Sequence, residues 1–150
     1  MITISLLGLD PYISQHVSKA IHGQLVQLYE LGNEEIFVYA PESFLFHDGI
    51  DQTSWHTIAR IHAPIQFKSR QNAVAAYLLK YLKTQVIHVA IEFYYYEPDD
   101  RYQDYDNDYP KFITEVNQVA IEDPGEAEPA EIYQGDVFAE TGKHRHETKK

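Results

Sequence analysis

The sequence predicts an α/β protein, a two-layer α+β sandwich. Its order is β-α-β-β-α-β, with a four-stranded sheet and two helices on one face. Three observations lead there. The first residues alternate with a period of two. Two later segments repeat their apolar residues at intervals of three and four. Each of those segments lies between stretches rich in β-formers, so the pattern is two strand-helix-strand units. Right-handed crossovers in both units put both helices on the same side of the sheet.

The first strand is Ile2 to Leu7, with Ile2, Ile4 and Leu6 alternating against Thr3, Ser5 and Leu7. Gly8 to Pro11 is a turn. Asp10 suits the N-cap and Pro11 the first helical position, because the one accepts orphan N–H groups and the other has no N–H to leave unpaired. Ile13, Val17, Ala20, Ile21, Leu25 and Leu28 then mark an amphipathic helix, with Gly32 suited to end it in the left-handed conformation. "EEIFVYAP", Glu34 to Pro41, is the second strand. "ESFLFHDGIDQ" is a loop around the turn signal Asp48-Gly49. The third strand, Thr53 to Phe67, puts Trp55, Thr57, Ala59, Ile61 and Ala63 on one face and His56, Ile58, Arg60 and His62 on the other. Ser69 is the expected cap of a second helix with the stripe Ala73, Val74, Tyr77, Leu78, Tyr81 and Leu82. The fourth strand runs from Val86 to Tyr94 or Tyr95, apolar enough to expect cover on both faces.

Past Pro98 the periodicity fades. Tyr102, Tyr105 and Tyr109 have the spacing of one side of a helical turn, and Arg101 is placed to stack on or bridge to them. "KFITEVNQVAI" reads as a short strand or helix, "EDPGEAEPAE" as a linker, and "IYQGDVFAE" as a hairpin around Gly135-Asp136. "TGKHRHETKK" reads as a frayed end. The expected division is a core of residues 1–98 and an acidic extension of residues 99–150.

At 150 residues the chain is long enough for one domain with a real core, and 44% of it is hydrophobic. The formal net charge of −11 is uneven. Residues 1–96 hold eight acidic and six basic side chains, whereas residues 97–150 hold fifteen acidic and six basic. So acidic a segment repels phosphate backbones, and no nucleic-acid partner is expected. No stretch reaches the roughly 18 apolar residues of a membrane span, so no membrane partner is expected either. "MITISLLGLDP" lacks the basic start and long apolar run of a signal peptide, and a cytoplasmic protein is expected. The absence of cysteine excludes disulfides, thiolate metal sites and a Cys nucleophile.

Two folds share this element order with helices on one face: the ferredoxin-like fold and that of the tautomerase superfamily, which includes macrophage migration inhibitory factor and the small oxalocrotonate tautomerases. The chain resembles the second in three places. Its first strand starts at the first residues, "PESFLFHDGIDQ" stands between strands two and three, and the last core strand closes in "IEFYYYEP". The resemblance covers residues 1 to about 98, rests on pattern and spacing, and points to a bacterial branch without the superfamily's N-terminal proline. It implies a homotrimer whose sheets line a central barrel. An uncovered sheet face calls for such cover.

The resemblance also implies a chemistry. Family tautomerases use an N-terminal proline, exposed by loss of the initiator Met, as a general base. A secondary amine in an apolar pocket has its pKa lowered toward neutrality. Here residue 2 is Ile2, so Met1 is expected to stay, leaving a primary amine in the proline's place. Near the start of the second strand, where the inhibitory factor has a basic residue, this chain has Asn33, Glu34 and Glu35. Arg60 is then the expected clamp for a substrate carboxylate.

The candidate catalytic residues are therefore Met1, Arg60 and Glu92, and the candidate ligand-binding residues His62 and Tyr94. Glu92 is a charge inside an apolar strand, so it is either functional or one half of an ion pair with Arg60. The ligand expected is a small carboxylate or an aromatic molecule. No cofactor and no metal are expected. His56 and His62 are six residues apart on one strand, about 20 Å at roughly 3.3 Å per residue. His16 and His22 face different sides of their helix, and His144 and His146 are in the charged end. Neither a phosphate-cradling glycine loop nor a GxSxG elbow occurs. Two alternatives to a tautomerase-like protein, silent or altered, are an interaction module using the acidic extension and a ferredoxin-like dimeric binding domain.

Overall fold

The computed structural model describes residues 1–32, 35–114 and 116. The chain divides into a unit of Met1–Gln103 and a second unit from Asp104 onward.

The first unit is a mixed α/β sandwich. Its elements are β1 (Ile2–Leu7), α1 (Pro11–Tyr29), β2 (Ile36–Tyr39), β3 (Phe46–His47), β4 (Ile50–Asp51), β5 (His56–Pro64), α2 (Gln71–Leu82) and β6 (His88–Tyr96). The main sheet has the order β2-β1-β5-β6. β1 is parallel to β2 and antiparallel to β5, and β5 is parallel to β6. A helix joins each parallel pair, as parallel pairing requires.

The period-two face of β1 carries the core. Ile2, Ile4 and Leu6 are fully buried with Ala59, Ile61 and Ala63 of β5. Val17, Ile21 and Leu25 of α1 and Val74, Leu78 and Leu82 of α2 pack onto that same face. Ala20 and Ala73, counted above in the apolar stripes, are exposed at the flanks of the two helices.

The start of α1 follows its sequence signal. Asp10 accepts from the backbone N–H groups of Tyr12 and Ile13, with Pro11 at the first position. The end differs. Glu30, not Gly32, takes the left-handed conformation, at φ 53°. Its N–H and that of Leu31 meet the carbonyls of Gln27 and Val26, and those bonds offset the strain.

The third main strand ends at Pro64 rather than Phe67. The chain turns there into a 3-10 segment, Ile65–Arg70, that runs straight into α2. Ser69 therefore caps nothing. Arg70 already has helical dihedrals and makes no side-chain cap. β6 begins at His88, two residues later than expected, and continues to Tyr96. In this chain only its helix-facing side is covered.

The loop around Asp48-Gly49 is a small hairpin, β3–β4, with both turn residues at positive φ as a tight turn of that class needs. It is anchored at Gly8. The Gly8 N–H donates to Ser43 Oγ at 2.9 Å, and the Ser54 N–H donates to the Gly8 carbonyl at 2.9 Å.

In the second unit, the Asp108 N–H donates to the Asp106 carboxylate, and the Lys111 amine stands 4.5 Å from the Tyr105 ring centroid. Residues 101–106 have no regular secondary structure, so Tyr102 and Tyr105 are not on a helical turn. Asn33, Glu34, most of "KFITEVNQVAI" beyond residue 114, the linker, the Gly135-Asp136 hairpin and the charged end lie outside the described residues.

Candidate functional site

The face of the sheet away from the helices is ordered in cross-strand rows. Phe37, Thr3, His62 and Tyr94 form one; Tyr39, Ser5, Arg60 and Glu92 form the next. Leu7, Ile58 and Ala90 follow, then His56 and His88. Four of the candidate residues are thus neighbours because β5 and β6 are parallel and in register.

Arg60 Nε donates to Glu92 Oε2 at 2.7 Å, and the Tyr94 hydroxyl donates to the same oxygen at 3.1 Å. The Tyr94 ring stacks on His62 with centroids 4.9 Å apart. The hydrogen bond from Arg60 holds the Glu92 carboxyl below the usual carboxylate range; partial desolvation opposes it and Tyr94 reinforces it. The same bond raises the Arg60 guanidinium. This pair is an ionised, mutually satisfied couple. Glu92 is not poised to donate a proton at neutral pH, and the cation of Arg60 is already matched.

Met1 is elsewhere. The register pairs Thr3 with His62, which places Met1 at the Pro64 end of β5. Four residues separate Arg60 from Pro64, about 13 Å at roughly 3.3 Å per residue. The structure therefore does not bring Met1 and Arg60 into one site.

What Met1 does meet is the segment after β6. Glu97 and Asp100 cap a single 3-10 turn, Pro98–Asp100, reciprocally: each side chain accepts from the other's end of the turn. That turn brings Arg101 back to the start of β1. Arg101 Nη2 contacts Met1 Sδ, its Nε bonds Gln103 Oε1 at 3.3 Å, and the Tyr96 hydroxyl donates to the Met1 carbonyl at 2.5 Å. Met1, Pro64, Gln66, Tyr96, Arg101 and Gln103 enclose a pocket of about 230 Å³. Among the described residues no carboxylate pairs with Arg101. Sequence reasoning assigned Arg101 to the tyrosines beyond it. The signal it missed is the acid at each end of "EPDD" just before Arg101, which is the capping box.

Tyr94, Tyr95 and Tyr96 are all in β6, which runs one or two residues past its expected end. Tyr95 faces the helices, its hydroxyl 3.0 Å from Gln71 Oε1.

The opposite end of the open face holds a larger pocket, of about 660 Å³, between the β3–β4 hairpin and the first residues of β5 and β6. His56 and His88 stack there with centroids 4.5 Å apart, a pairing that sequence spacing alone does not show. Among the described residues no group of three His, Asp or Glu side chains has the geometry of a metal site. Nor is any described helix long and apolar enough to cross a membrane.

The sequence matches no protein-family model and no curated protein. Solved structures do match. A domain of unknown function, DUF1904, from Sebaldella termitidis superposes with a TM-score of 0.54 at 15% identity, covering 69% of this chain and 96% of that one. The macrophage migration inhibitory factor-like protein of Entamoeba histolytica gives 0.53 at 12% identity, covering 69% and 93%. Macrophage migration inhibitory factor from Toxoplasma gondii gives 0.50 at 13% identity, covering 68% and 94%. With the sheet order, the register and these superpositions together, the chain has a macrophage migration inhibitory factor-like fold.

Proposed function

We propose that the chain is a self-associating, trimeric protein of tautomerase-like fold that holds a small carboxylate in the Met1–Arg101 pocket, without a proline base. One observation carries the binding reading: Arg101 lines a pocket and has no carboxylate partner among the described residues. A guanidinium presents a planar fork of donors suited to a carboxylate. Arg60, the clamp expected from sequence, is matched to Glu92 and is a poor choice for that role.

The reading is one of binding more than of isomerisation. The pocket lining contains Met, Pro, Gln, Tyr and Arg side chains and no carboxylate or imidazole, and the primary amine of Met1 lacks the rigidity and basicity of a proline base.

Trimerisation is supported by the sheet. Its outer strands β2 and β6 each pair on one side, and Phe37, Tyr39 and Tyr94 are exposed on the uncovered face. Sedimentation tests this part, and a stable monomer would overturn it. The pocket is tested by calorimetric titration with phenylpyruvate, with and without Arg101→Ala. Binding that the substitution weakens about tenfold or more supports the reading. Binding that ignores it, or measurable phenylpyruvate tautomerase turnover, overturns it.

A further inference from the structure

The 660 Å³ pocket under the β3–β4 hairpin is far from the Met1–Arg101 pocket. Its floor starts at His56, eight residues before Pro64 on β5, or about 26 Å at roughly 3.3 Å per residue. It is within the size range of small-molecule sites, roughly 300–1,000 Å³. From its lining we propose that it is a second ligand site, for an uncharged aromatic molecule bearing a hydroxyl group.

The pocket is built into the fold. Its roof depends on Leu45, whose N–H donates to Thr53 Oγ1 and whose carbonyl accepts from the Gln52 N–H at 2.6 Å. Leu45 in turn lies over Gly8. A Cβ at Gly8 would come within 2.6 Å of Leu45 Cδ1 and 2.8 Å of the His56 carbonyl oxygen. A glycine at positive φ, under a hairpin tied down from both sides, sets the separation between roof and floor.

The chemistry of the lining selects the ligand. Leu45, Phe46, Ile58 and Val89 offer apolar wall, and Phe46 is 65% exposed, with ring surface to spare for an aromatic guest. His47, His56 and His88 bring imidazoles to the lining, beside the polar residues Gln52 and Thr57. Among the described residues no hydrogen bond occupies their ring nitrogens. Each neutral imidazole has one donor and one acceptor nitrogen, the complement of a hydroxyl group. No Lys, Arg, Asp or Glu lines the pocket, so no permanently charged side chain is there to pair with a charged ligand. His88 is held from two sides, stacked on His56 at 23° and edge-on to Trp55 at 62°, which keeps its ring in one orientation.

The test uses 2-naphthol and 2-naphthoate, the same fused ring with a hydroxyl or a carboxylate, titrated by ligand fluorescence into the full chain at neutral pH. Expected is saturable 2-naphthol binding about tenfold or more tighter than that of 2-naphthoate. Phe46→Ser and His88→Ala each weaken it about fivefold or more. Both side chains are exposed, and circular dichroism confirms that the variants fold. Naphthoate binding that disappears in Arg101→Ala reports the other pocket and is separated by that variant. Naphthoate binding that survives Arg101→Ala and equals that of naphthol overturns the proposal. So does the absence of saturable naphthol binding, as when a second copy of the chain fills the pocket, or binding indifferent to both Phe46→Ser and His88→Ala.

Discussion

Arg60 donates its Nε–H to a carboxylate oxygen of Glu92 at 2.7 Å, and the two residues stand directly opposite each other on the parallel strands β5 and β6. The pairing accounts for a charge inside an otherwise apolar strand. It also predicts a pH dependence. The folded-state pKa of Glu92 is lowered, chiefly by Arg60. Its contribution to stability is therefore present above the unfolded carboxyl's pKa, about 4.3, and is lost as pH falls through the lower folded value. Thermal melts of wild type and Glu92→Gln should differ at neutral pH and converge in acid. The gap should be small and shrink with salt, because the two side chains are 43% and 38% exposed. A gap that widens as pH falls would contradict the ionised pair.

Arg101 makes a different prediction, because its partner would be a ligand and its contacts in the free chain are the Met1 thioether and the Gln103 amide, neither of them charged. Arg101→Lys keeps the charge but loses the planar two-pronged donor set. Phenylpyruvate affinity should fall in the order wild type, Arg101→Lys, Arg101→Ala, with the last about tenfold or more below the first. Equal affinity for the Lys and Ala variants would mean that the charge has no part in binding.

Gly8 is the position where a single methyl group should be felt most. Its φ is +73°, and an added Cβ meets both a side chain and a backbone carbonyl. The left-handed conformation costs a non-glycine residue about 1–2 kcal/mol. The carbonyl contact adds to that, because the strand that carries it cannot easily move. Gly8→Ala is expected to lose about 2 kcal/mol or more, a melting-point drop on the order of 10 °C. Gly49 has a similar φ of +75° but open space around it, so Gly49→Ala should show the conformational penalty alone. Equal losses at the two sites would remove the steric part of the explanation.

The fold was legible because periodicity reports burial. Ile2, Ile4 and Leu6 alternate, and each is fully buried; Val17, Ile21 and Leu25 recur at helical spacing, and each is fully buried. The details that were not legible are those set by register and by local hydrogen bonding. The stack of His56 on His88 exists only because β5 and β6 align at those residues, 32 positions apart in sequence. Ser69 has the side chain of a cap, yet the 3-10 segment already delivers helical dihedrals to Gln71 and leaves no cap to fill. Period two is enough to put Arg60 with His62 and Glu92 with Tyr94, but that the two pairs are neighbours follows from the β5–β6 register. The place of Arg101 beside Met1 is not legible, because it depends on the turn at Pro98–Asp100, and the distance between Met1 and Arg60 depends on the β1–β5 register.

Tyr29 tests the interior. Its side chain is 2% exposed, its ring meets Phe67 edge-on at 5.5 Å, and its hydroxyl has no hydrogen-bond partner among the described residues. Burial, with a smaller contribution from Tyr95, pushes the phenol well above its ordinary pKa of 10.0. A folded-state pKa raised in this way means that the unfolded chain releases its proton first. Above about pH 10 the unfolded state binds fewer protons than the native state, so stability falls as pH rises. Tyr29→Phe removes the buried hydroxyl and keeps the ring contact with Phe67. It should be neutral to stabilising at pH 7, by up to about 1–2 kcal/mol, because a desolvated and unpaired hydroxyl is lost. Its advantage over wild type should then grow in alkali, where the variant has no proton to lose at that position. Denaturant melts of both proteins at neutral pH and near pH 10.5 measure the two effects separately. A Phe variant less stable than wild type at both values would show that the hydroxyl is satisfied after all.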